Sequence, residues 1–171
     1  MEHGIPEAPV TPYTPHTAAP APGRTPLGFG AFVTLSRGRY LLYAQARLQD
    51  GRAGEAAVAE ALHCTHLHWE VVLQSPSPAK EAWSALRRSV TAARRGRDDP
   101  DAAAVGEDLL HRLLPGQIAD IVLLRHRLGL PPEAVAALMG TEVSVVEAGV
   151  LTAKRLLDEY VSDLREVIPH I

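Results

Sequence analysis

Asparagine is absent from the 171 residues, lysine occurs only at Lys80 and Lys154, and cysteine only at Cys64. A lone cysteine excludes an internal disulfide and suits a reducing compartment, so a cytoplasmic location is expected. Aromatic residues make up 5% of the chain and alternating β-branched runs are rare, which argues against a sheet protein. No apolar run approaches the ~20 residues that a membrane-spanning helix requires. The N-terminus lacks the basic start and apolar core of a secretion signal, so no membrane partner is expected. An excess of positive charge is missing too. The formal net charge is −3, so any nucleic-acid binding has to depend on a local cluster of cations. Phosphate-binding glycine loops, nucleophile elbows and carboxylate pairs of recognisable role are all lacking, so no enzyme activity is expected.

What the chain does contain is alanine, leucine, valine and arginine, a composition for helices packed through small aliphatic side chains. The expected fold class is all-α, and the length suits two small helical domains. Residues 1–26 carry Pro6, Pro9, Pro12, Pro15, Pro20, Pro22 and Pro26, too many for a helix or a sheet ladder, and read as a disordered proline-rich tail. Residues 27–95 read as a three-helix domain. Its first helix, from Leu27 to Gln49, is either bent near Gly38 or split there. The second runs from Gly54 to about Gln74, before Ser75-Pro76-Ser77-Pro78, and the third from Ala79 to about Arg95. Residues 96–106, which include Asp98-Asp99-Pro100-Asp101, have the composition of a linker. Residues 107–165 then hold helices near Glu107–Leu113, Pro115–Leu128, Pro132–Met139 and Val143–Leu164.

The segment from Leu130 to Gly140 starts with two prolines, places Val135 and Leu138 on one face and ends on glycine. Val146, Val150, Ala153 and Leu157 then recur at intervals of four, three and four on the next helix. Two short helices joined in this way make a helix-turn-helix, whose second helix commonly enters the DNA major groove. Over about fifty residues, "LLPGQIADIVLLRHRLGLPPEAVAALMG" and "TEVSVVEAGVLTAKRLL" resemble region 4 of bacterial sigma factors of the extracytoplasmic-function type. Leu114-Pro115, Glu133 to Leu138, Gly140 and Ala153-Lys154-Arg155 occupy that family's places. The first domain is similar, in its order of helices, to region 2 of the same family.

The resemblance implies RNA polymerase core and promoter DNA as partners. It places Glu55 and Glu60 on the polymerase-binding helix, and Trp83 with the arginines after it (Arg87, Arg88, Arg94, Arg95) on a promoter-contacting helix. In the second domain it aims Thr141, Ser144, Val145, Ala148 and Thr152 at the groove, with Lys154 and Arg155 behind them. The sequence departs from the family in that helix: no Arg, Lys, Asn, Gln or His occurs from Thr141 to Ala153, and the family's usual cations fall on Glu147 and Gly149. A good bidentate base contact is worth about 1–3 kcal/mol of discrimination, so two such losses remove much of a promoter preference. Glu147 also reads as the last member of a capping box that starts at Ser144. Val145, Glu147 and Leu151 together suit a protein partner. The alternative function is therefore a sigma-type fold that has lost promoter reading and acts as a protein-interaction module, with a protein regulator as its partner.

His63-Cys64-Thr65-His66-Leu67-His68 concentrates metal-ligand types, and Cys64 with His68 has i, i+4 spacing, with Glu60 one turn earlier. No second Cys or His pair stands at ligand spacing, so the segment reads as a partly exposed helix face and no metal or cofactor is assigned.

Overall fold

A computed structural model of the chain describes residue 26, residues 28–96 and residues 109–167, with the side chains of the last helix described as far as 162. The tail, apart from Pro26, the linker, apart from Gly96, and the expected helix start at Glu107 lie outside the described residues. Among the described residues every regular element is helical, as the alanine- and leucine-rich composition requires.

The first group has four helices: α1 (Phe29–Leu48), α2 (Gly51–Leu67), α3 (Trp69–Gln74) and α4 (Pro78–Arg95). α1 runs unbroken past Gly38, which carries no turn. Gln49 takes a left-handed φ of 52°, and the Asp50 carboxylate accepts hydrogen bonds from the backbone N–H groups of Arg52 and Ala53 at 2.8 and 3.1 Å. This cap satisfies donors that no helical partner can reach and turns the chain into α2. α2 packs along α1, and at Gly54 a Cβ would stand 3.1 Å from the Gln45 side chain. The expected helix to Gln74 is interrupted at His68, after which Trp69 and Val72 fold inwards onto Phe29. α4 starts on a Ser77 cap with Pro78 at its first position, where a missing N–H costs nothing.

Six of the eight aromatic residues sit in one chain of ring contacts. Phe29 meets Trp69 at 5.2 Å and Phe32 meets Trp69 at 5.3 Å; Phe32 and Tyr40 are 6.4 Å apart, and Trp83 lies 6.0 Å from Tyr40 and 4.6 Å from Tyr43. Tilted and edge-on pairs at such distances stabilise a core beyond their buried area.

The second group has α5 (Leu109–Leu113), α6 (Gly116–Val122), α7 (Pro132–Met139) and α8 (Val143–Val167). α6 widens at its end into a π-helical stretch, Leu123–Arg127, where the Leu128 N–H reaches back five residues to the Leu123 carbonyl at 3.0 Å. The Arg125 guanidinium donates to the Leu130 carbonyl, closing the turn before Pro131 and Pro132. One cluster of buried apolar residues runs through both groups, from Tyr43, Trp83 and Leu86 to Ile121, Leu124, Val135, Met139 and Val146. Each group also has a smaller cluster of its own, around Trp69 in the first and around Leu114, Ala119 and Ala153 in the second.

Candidate interaction surfaces and a buried carboxylate

α7 and α8 make the helix-turn-helix. Val135, Ala136, Leu138 and Met139 of α7 are buried, so its inner face is held by the core. Gly140 then adopts φ 65°, ψ 41°, a left-handed conformation that glycine takes without steric cost. The Thr141 N–H bonds back to the Ala136 carbonyl at 3.0 Å, the six-to-one bond that ends helices in this conformation. The chain re-enters a helix at Val143, and the two axes meet at 107°, within the range of helix-turn-helix pairs. Gly140 has a second constraint. A Cβ there would overlap the Lys80 backbone nitrogen and stand 2.6 Å from the Ser77 hydroxyl oxygen, and that hydroxyl donates to the Gly140 carbonyl at 3.1 Å. The start of α4 is thus seated on the turn of the helix-turn-helix.

On α8, Val146, Gly149 and Ala153 are buried, while Ser144, Val145, Glu147, Ala148, Leu151, Lys154 and Arg155 are exposed. The burial of Gly149 differs from the sequence reading, which set it beside Glu147 on the outer face. A Cβ at Gly149 would lie 2.6 Å from Ile121 Cδ1, so this glycine is a packing residue that lets α8 approach α6. The capping box also differs. Since α8 begins at Val143, Ser144 is already inside the helix, and its hydroxyl donates to the Glu142 carboxylate at 3.4 Å. Glu147 is left exposed, one full turn further on. The Thr152 hydroxyl donates to the Ala148 carbonyl of its own helix at 2.8 Å. The outward face of α8 before Lys154 therefore combines small and apolar side chains with one carboxylate.

The first group's assigned cations are divided. Arg88 and Arg95 are exposed and Arg94 is half-buried, but Arg87 turns inwards to a residue that the sequence reading passed over. Asp120, on α6, is completely buried. Its Oδ1 accepts from the Tyr43 hydroxyl at 2.6 Å, from His111 Nε2 at 2.7 Å and from Arg47 Nη1 at 3.3 Å. Arg87 Nε lies 2.7 Å from its Oδ2. One carboxylate thus gathers side chains from α1, α4 and α5, because a buried charge needs several donors to replace lost water. Burial, then the adjacent Asp120 charge, push the Tyr43 hydroxyl well above the usual tyrosine range, so it remains a donor. The signal in the sequence was an aspartate inside the apolar run Ile118-Ala119-Asp120-Ile121-Val122-Leu123-Leu124. Such a residue must find partners, but spacing along the chain does not say which.

Trp83, expected at the start of a promoter-contacting surface, is buried in the aromatic core. Glu55 and Glu60, expected on a polymerase-binding helix, are exposed on α2. His68 Nδ1 lies 2.9 Å from the Cys64 carbonyl oxygen, and both residues line an open groove with Val72, Glu81 and Arg88. Among the described residues no group of three or more His, Cys, Asp or Glu side chains is placed to hold a metal ion. No single described helix is long and apolar enough to cross a membrane. No protein-family model matches the chain, and no curated protein matches it.

Proposed function

We propose that this chain is a sigma-factor-like transcription regulator that associates with RNA polymerase through its first helical group and carries a helix-turn-helix towards promoter DNA. The observation that supports this most is the α7–α8 pair, crossing at 107° around the left-handed Gly140 inside the fifty-residue segment that resembles sigma region 4. In this reading Glu55 and Glu60 face the polymerase, and Lys154, Arg155, Arg88, Arg94 and Arg95 contact phosphates.

A second reading has a specific observation in its favour. The exposed face of α8 between Ser144 and Thr152 bears no cation and presents Val145, Glu147, Ala148 and Leu151, of which Leu151 is 70% exposed. That surface suits a protein regulator better than base edges. The chain would then keep the sigma-type scaffold and act as a protein-interaction module without promoter recognition.

The experiment that tests both is transcription in vitro with core polymerase, paired with sedimentation of the chain with the core enzyme. Binding together with initiation at a promoter supports the first reading. Binding to core without initiation and without salt-sensitive DNA binding supports the second. Absence of any binding to core removes the sigma-type function altogether.

A further inference from the structure

The geometry points to a conformational lock: Asp120, with Tyr43, Arg47 and Arg87, holds the two helical groups closed and keeps Arg87 from serving as an outward-facing cation. Three of the four side chains on this carboxylate come from the first group, while Asp120 and His111 belong to the second. A buried ionic node adds less stability than apolar residues of the same size would, because desolvation offsets the attraction. What it supplies here is a dependence of closure on one charge. Apolar packing runs across the same seam, yet each group keeps a cluster and helix contacts of its own, which allows each to stay helical when parted.

The lock is weakest at its rim. Arg47 and His111 side chains are 9% and 8% exposed, whereas Arg87 is 40% exposed. Solvent, or a polyanion such as a nucleic-acid backbone, therefore reaches the Arg87 guanidinium from outside and competes with Asp120 for it. A second seat closes in concert, since the Ser77 hydroxyl and the start of α4 rest on the Gly140 turn. Closure thus fixes α4 to the helix-turn-helix and neutralises the Arg87 guanidinium. Nothing in the lock depends on the identity of the partner, so it stands or falls apart from the proposed function.

The test is a pulsed electron spin resonance distance measurement on the full chain. Nitroxides are attached at Ala59→Cys on α2 and Leu151→Cys on α8, both exposed, in a Cys64→Ala background. The unmodified lock is expected to give one narrow distance. Asp120→Asn strands two guanidiniums, and their solvation drives the groups apart, so the distribution becomes longer and several-fold broader while the helical circular dichroism signal is kept. An unchanged distance in Asp120→Asn overturns the lock. If Asp120→Asn fails to fold, Arg87→Met decides. Its substitution lies at the rim, and it is expected to show a mixture of the narrow distance and longer ones. A single unchanged distance in that variant, or loss of its helical signal, overturns the proposal.

Discussion

Individual side chains carry the largest differences between this chain and a typical reader of DNA. Gly149 stands where a cation is expected, but the position faces Ile121 at the α6–α8 contact. Replacing it by arginine is therefore predicted to overpack the core and lower stability by about 1–3 kcal/mol, without any gain in DNA affinity. Chemical denaturation and a duplex-binding titration check the two halves of that statement. Tyrosine gives a second test at this scale. Tyr40 and Tyr43 are both pushed above the ordinary tyrosine range by burial, Tyr43 further by the Asp120 charge. The folded state holds these protons while the unfolded state releases them near pH 10. Their contribution to stability is thus fully present below about pH 10 and lost as pH rises beyond it. In an alkaline spectrophotometric titration these two tyrosinates are expected to appear only together with the loss of helical signal. Ionisation of all tyrosines before any unfolding would contradict their burial.

Elements were more legible than residues, because helix ends are written in local chemistry. Pro132 at a helix start and Gly140 after α7 act where the sequence places them, and the breaks read at Asp50-Gly51 and at Ser77-Pro78 prove to be the caps from which the next helices begin. The break at His68 and the π-helical stretch at Leu123–Arg127 carry no such marks. Trp69 turns inwards because Phe29 and Phe32 of a distant helix offer a buried face, and the spacing within α2 cannot express that. The same holds for the start of α8, where Ser144 and Glu147 have the spacing of a capping box but the helix begins at Val143, two residues too early for it. Glu147 therefore offers a clean test of where α8 points. Glu147→Arg exchanges a carboxylate for a cation on an exposed face, so it should leave stability nearly unchanged. If α8 lies on the duplex, the log–log salt dependence of DNA binding steepens by about one unit. An identical slope would place that face against something other than DNA.

At the scale of the whole molecule, the two helical groups share a buried cluster and the Asp120 node. Heating the chain is accordingly predicted to give one calorimetric transition whose enthalpy matches the van't Hoff value. Two resolved transitions would mean that the seam is too weak to couple the groups. The net charge of −3 adds that nucleic-acid affinity, if present, comes from a few local cations and falls off with salt.

Taken alone, the sequence determined that the described chain is helical, where most helices start and stop, and that a glycine-ended α7 precedes a longer α8. These follow from period, caps and breakers, which act over a few residues. Tertiary structure alone decided which way Gly149 faces, that Trp83 belongs to the core, that the Arg87 guanidinium is drawn onto Asp120, and that Asp120 joins four helices. Each of those depends on groups far apart in the chain, Tyr43 and Asp120 being 77 residues distant. Their meeting is set by burial and by the need of a desolvated charge for partners, which no local pattern records.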